Sequence, residues 1–128
     1  MRILLDTHVL LWLLEDNPRL TSRARQLIDD RENELCFSSI SIAEIAIKHQ
    51  KNPQLMPPKP DEVRRFAIAS DIGELNFTSG HAMFLADLPL HHRDPFDRML
   101  LAQAKASSLK ILSHDDKFPA YGDFVIAV

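Results

Sequence analysis

Three short stretches of the chain contain no polar residue at all: Ile3-Leu4-Leu5, Leu35-Cys36-Phe37 and Ile111-Leu112. A strand with one wet face alternates apolar and polar side chains. Runs without alternation belong to strands covered on both faces, the hallmark of a parallel sheet with helices above and below it. Helical segments separate these runs, so strand and helix alternate along the chain. The pattern predicts an α/β fold, a parallel β-sheet flanked by α-helices. At 128 residues the expectation is one domain over 1–128, burying roughly two thirds of its unfolded surface.

The first strand is expected to stop at Asp6, which places a carboxylate at its carboxyl end, the edge where open α/β sheets bind ligands. A short apolar helix follows from His8 to Glu15 with Thr7 as its N-cap, and Asn17-Pro18 ends it. Thr21 or Ser22 caps a second helix reaching about Asp30, with Ala24, Leu27 and Ile28 turned inward. After the strand at Leu35–Phe37, a helix starts near Ile42 and fades near Lys51, and Ser41-x-x-Glu44 has the form of a capping box. Residues 52–60 hold four of the eight prolines and form a loop. A helix from Asp61, a short edge strand at Gly73–Asn76 and a helix from Thr78 or Ser79 through Ala86 come next. The helix opened by Asp94-Pro95 runs to about Ser107, the strand at Lys110–Leu112 leads into Ser113-His114-Asp115-Asp116, and Phe124–Val128 closes the sheet.

Composition narrows the field. One cysteine, Cys36, excludes an intramolecular disulfide, fits a reducing cytosol and is expected to be buried ahead of Phe37. Met1 and Arg2 enter the first strand directly, with no apolar leader, and no run approaches the ~20 apolar residues of a membrane helix. A cytoplasmic protein that does not cross a membrane is the expectation. With three glycines and no Gly-x-Ser-x-Gly, phosphate-loop, dinucleotide-binding and serine-elbow chemistry are excluded. The net charge of −3 does not announce a polyanion as partner.

Four carboxylates stand where a parallel sheet would gather them. Asp6 and Asp115 follow buried strands; Glu44 and Asp97 lie in the first turns of helices fed by such loops. Asp94 reads as an N-cap, with Pro95 at the first helical position and Asp97 at the third. At Asp97 and Glu44 two roles stay open, service to the helix end or projection into the cleft at the strand ends. Gathered acids repel and partly protonate unless a cation sits among them. Oxygen ligands of this kind describe a Mg²⁺ or Mn²⁺ site, and such an ion also offsets the repulsion an anionic substrate would meet. His91 and His92 lack the spacing of a zinc pair; with Arg93 and Arg98 they could touch substrate phosphates. His8 and His114, in the two strand-end motifs, could line the site.

Taken in order, Leu-Leu-Asp-Thr-His at 4–8, Ser-x-x-Glu-Ile-Ala-Ile-Lys at 41–48, His-Arg-Asp-Pro-Phe-Asp-Arg-Met-Leu-Leu-Ala-Gln-Ala at 92–104 and Leu-Ser-His-Asp-Asp at 112–116 resemble the PIN-domain nucleases. Within them the chain is similar to the VapC toxins of bacterial type II toxin–antitoxin pairs. The resemblance covers essentially the whole chain. It implies a Mg²⁺- or Mn²⁺-dependent ribonuclease, usually a homodimer, silenced by an antitoxin protein whose tail occupies the cleft. It assigns Asp6, Glu44, Asp97 and Asp115 as the catalytic acids, with Asp116 as the alternative fourth, and Asp6, Asp97 and Asp115 as metal ligands. Ser113 matches the hydroxyl residue that often precedes the fourth acid by two. Two positions depart from the pattern: His8 stands where many relatives have Asn, and Ala43 where close relatives often have Trp. The apolar faces of the helices within 61–86 either cover the sheet or pair with a second copy. Two rivals remain, a catalytically silent PIN-like module that binds RNA or protein, and a phosphoacceptor switch of receiver type. The second wants an acidic pair after the first strand, where this chain has Asp6 alone.

Overall fold

The computed structural model describes residues 1–128 and contains one five-stranded sheet, every neighbouring pair parallel, in the order β3-β2-β1-β4-β5. The strands are β1 (Arg2–Leu5), β2 (Glu34–Ser38), β3 (Gly73–Leu75), β4 (Lys110–Ser113) and β5 (Val125–Ala127). The helices are α1 (Thr7–Glu15), α2 (Ser22–Asp29), α3 (Ser39–Lys51), α4 (Pro60–Ala69), α5 (Ser79–Met83) and α6 (Pro95–Ala106). No helix is long and apolar enough to cross a membrane. The strand order differs from the 2-1-3-4-5 order of receiver-type switches, which removes that rival.

The unbroken apolar runs are explained by two cores, one on each face. Along β1, Ile3 and Leu5 enter a cluster with Val9, Leu10, Phe37, Ile45 and Leu112, while Leu4 points the other way toward Leu100, Leu101, Ile111 and Phe118. Successive strand residues face opposite sides, so a strand wet on neither side needs apolar residues at every position. The Cys36 thiol is buried against the Ile3 carbonyl oxygen, and burial pushes it up to about 11.

This topology creates the site. The chain leaves β1 toward β2 and β3, then returns to the other side of β1 for β4 and β5. The direction therefore reverses between β1 and β4, and the crevice beyond such a switch point is where these sheets bind ligands. Asp6 lies there, its N–H donating to the Leu112 carbonyl at 3.1 Å.

Two caps fall earlier than the sequence suggests, that of α1 by one residue and that of α3 by three. Asp6, rather than Thr7, caps α1, its Oδ1 accepting the Val9 N–H at 2.8 Å; the Thr7 hydroxyl instead meets Ser41 Oγ at 2.8 Å and ties α1 to α3. Ser38, not Ser41, caps α3 by accepting the Ile40 N–H. The serine that ends β2 is itself the cap, so α3 begins at once and Glu44 sits too deep to close a capping box. The helix expected through Ala86 also ends early, tightening into a 3₁₀ turn at Phe84–Ala86 ahead of Leu88-Pro89. Elsewhere Thr21 caps α2, Thr78 caps α5 and Asp94 caps α6, where Asp94 Oδ1 accepts from the N–H groups of Phe96 and Asp97.

Ser38→Ala should cost about 1 kcal/mol of stability by removing the α3 cap. Urea denaturation checks this; an unchanged midpoint would show that another residue caps the helix.

Candidate metal centre

The β1–β4 edge gathers acids from four separate parts of the chain. Asp6 is buried, and its Oδ2 accepts a short hydrogen bond from Ser113 Oγ. Ser113 Oγ also accepts the Asp115 N–H at 3.0 Å, so one hydroxyl ties the loop after β4 to the end of β1. Across the crevice, His92 Nε2 lies 2.9 Å from Asp115 Oδ2 and 3.1 Å from Asp97 Oδ2. The ligand atoms of His92, Asp97 and Asp115 all fall within 4.8 Å of one another. Glu44, 2 % exposed, is paired through Oε2 with Lys48 one turn on, and its Oε1 is buried with no hydrogen-bond partner.

These groups share one electrostatic field. Burial first, then the charges of Asp94 and Glu44, push Asp97 up to about 7; Asp6 adds to the rise and His92 opposes it. Burial also raises Asp6 above the ordinary aspartate value, although the bonds from Ser113 and the Val9 N–H and the nearness of His8 pull it down; Asp115 pushes it further up. Burial would raise Asp115 too, but the Lys117 N–H and His92 outweigh it and hold that carboxyl below its usual range. Burial works against the Lys48 ammonium, yet the hydrogen bond and charge of Glu44, with Asp94 and Asp97 beyond, keep it above the usual lysine value. Like charges thus meet here with less positive charge than they require.

The residues fit a hard divalent cation. Burial, then its acidic neighbours, hold Asp97 protonated to near neutral pH, Glu44 keeps an orphaned buried oxygen, and the donors are carboxylates with one imidazole. Carboxylate oxygens suit Mg²⁺ and Mn²⁺. The tightest ligand group contains two of the three expected ligands, Asp97 and Asp115, with His92 in addition; Asp6 joins it through Ser113. Asp116 is exposed, while its neighbour Asp115 makes the contact to His92.

Of the basic residues around the start of α6, Arg93 is exposed, while His92 and Arg98 are engaged within the protein rather than free for phosphate. His92 is buried among the acids, and its N–H donates to the Tyr121 hydroxyl at 2.8 Å. Arg98 is occupied by the carbonyl oxygens of Leu88 and Pro89, so it braces the loop rather than facing the crevice. His91 packs edge-on against Tyr121. His8 and His114 do line a cleft beside the acids, together with Asp6 and Asp115. A larger concavity, about 780 Å³, lies at the opposite edge of the sheet near Glu34 and Gly73, remote from this cluster.

Residues 3–123 match the PIN domain family model, so the chain belongs to the PIN-domain family. No curated protein sequence matches it significantly. Among solved structures, VapBC2 from Rickettsia felis, bound to a DNA fragment from its promoter, superimposes with a TM-score of 0.70 at 16% identity, covering 100% of this chain and 98% of that one. A toxin-antitoxin complex from Klebsiella pneumoniae gives 0.65 at 20% identity, with 98% and 96% covered. FitAcB from Neisseria gonorrhoeae gives 0.64 at 24%, with 97% and 96% covered. At these identities the likeness is one of fold.

The Asp97 shift makes the cation-free protein sensitive to pH. Between the ordinary value of 3.8 and about 7 the folded chain keeps a proton that the unfolded chain has lost, so stability falls as pH rises through that window. In EDTA, Asp97→Asn should therefore melt above the native protein at pH 8 and close to it at pH 4. Mn²⁺ should raise the melting temperature of the native protein far more than that of the variant. Equal melting points at pH 8 would contradict the crowding of charge.

Proposed function

We propose that the chain is a Mg²⁺- or Mn²⁺-dependent endoribonuclease and the toxin of a toxin–antitoxin pair. The observation that carries this reading is the convergence of Asp6, Glu44, Asp97 and Asp115 on the switch point of the sheet, with too few cations among them. Membership of the PIN family and a fold shared with toxin–antitoxin complexes support it.

Asp6, Asp97 and Asp115 hold the ion in this reading. When bound, it lowers the pKa of a water and draws off negative charge building on the phosphoryl oxygens. Ser113 fixes the Asp6 carboxylate, and His92 sets the spacing of Asp97 and Asp115. Glu44, its Oε2 engaged by Lys48, keeps Oε1 free to orient the attacking water and accept its proton. Water adds to phosphorus in line and the P–O3′ bond breaks. The leaving 3′-oxygen takes up a proton, giving 5′-phosphate and 3′-hydroxyl ends. The ribose 2′-OH has no part as nucleophile.

The partners follow from the same reading: an RNA substrate, a cognate antitoxin that covers the crevice, and a second copy of the chain. Met83, Phe84 and Leu90 are exposed apolar residues near α5, a surface suited to the homodimer.

Asp6→Asn tests the assignment. Asn is as good an N-cap as Asp, so α1 and the fold should survive while RNA cleavage is abolished in Mg²⁺ or Mn²⁺. A purified, folded variant that cuts RNA as fast as the native protein would overturn it.

A further inference from the structure

Beside the acids runs a cleft of about 560 Å³ lined by the rings of His8, Trp12 and His114, by Arg19 and Lys117, and by Asp6, Asp115 and Asp116. Its floor is α1: His8 and Trp12, four residues apart, share one helix face, and their rings lie 6.1 Å apart. From the end of β4, His114 meets the other side of Trp12 edge-on at 5.5 Å. His114 is itself anchored through Nδ1 to the Val128 carbonyl oxygen. The indole is partly buried against the core that holds Val9 and Leu10, so its position is fixed while part of its surface stays open. Arg19 and Lys117 stand at the rim, both exposed. Asp6 and Asp115 belong to the same cleft, which makes it continuous with the metal centre.

None of these five residues has a part in the hydrolysis described above. We infer that His8, Trp12 and His114 form a stacking subsite for an RNA base next to the scissile phosphate, with Arg19 and Lys117 on the neighbouring phosphates. The inference rests on the ribonuclease reading. Flat rings give a surface that any base can stack on, and flanking cations track the backbone of a single strand. Arg19 and Lys117 set two positive charges at the rim against the carboxylates of Asp6, Asp115 and Asp116, so a cation bound among the acids is also needed before a polyanion can enter. A base seated on Trp12 directs its phosphate toward Asp6 and Asp115, so the subsite selects single-stranded, splayed RNA over a stacked duplex.

Trp12 is the only tryptophan, so fluorescence excited at wavelengths where tyrosine does not absorb reports on this subsite alone. With Ca²⁺ offsetting the acids, a short single-stranded RNA should quench that fluorescence. An abasic oligonucleotide of the same length, at saturation by the anisotropy of its label, should not. Trp12→Leu keeps apolar packing but loses the flat ring, and should weaken RNA binding about tenfold or more; Trp12→Phe should largely restore it. In cleavage assays the Leu variant should show the loss in KM, with kcat little changed. Arg19→Ala should flatten the salt dependence of binding. Equal quenching by the abasic strand, or native affinity in Trp12→Leu, would overturn the subsite. So would RNA that is cleaved while leaving Trp12 fluorescence unmoved, which would leave this wall to a protein partner. Stacking without any cleavage would instead sink the nuclease reading and spare the subsite.

Discussion

Repulsion among carboxylates at the β1–β4 edge is the constraint around which the rest of the molecule is arranged. A flexible scaffold would relieve it by letting the acids drift apart. This one does not, because the strands that carry or precede them are packed on both faces. Asp6 is further locked as the cap of α1, and Asp97 lies within the first turn of a helix started by Asp94 and Pro95. Burial, with the retained repulsion of Asp94 and Glu44 added to it, pushes the Asp97 carboxyl up to about 7. Such stored destabilisation is typical of functional sites.

The residues that moderate this repulsion are as informative as the acids. Ser113, His92 and Lys48 each touch one or two carboxylates without cancelling the charge of the whole. Ser113 holds β1 and β4 in a common orientation, while His92 bridges α6 and the loop after β4. Tyr121 and Arg98 in turn hold the segment that carries His92. The cluster is therefore braced from behind on each side, and its open side faces the cleft lined by Trp12. Acids, brace and aromatic wall together give a crevice with distinct places for a cation and for an anionic strand.

Much of this was legible in the sequence because strand ends are local signals. An apolar run stopping at Asp6, and another just before Ser113 and Asp115, place three residues at one edge before any coordinate is known. Pro95 behind Asp94 fixes the start of α6 and hence the level of Asp97. What was not legible depends on contacts between remote segments. His92 is 23 residues from Asp115, and nothing in the tandem His91-His92 says which of the two turns inward. Ser38, the last residue of β2, took the cap that Ser41 offers in the sequence, and that choice decided whether Glu44 served the helix or the crevice. Lys48, four residues after Glu44, did carry a signal, the ordinary helical spacing of an ion pair. The sequence resemblance pointed to Ser113 as well as the acids, but gave no role to His92 or Lys48.

Crystals soaked in Mn²⁺ and measured for anomalous scattering address the central claim most directly. The account predicts a single region of strong anomalous density bounded by the carboxylates of Asp97 and Asp115 and reached by Asp6, lost in crystals of Asp97→Asn. Density elsewhere on the surface, or none in a crevice open to solvent, would contradict the reading of this cluster as a cation site.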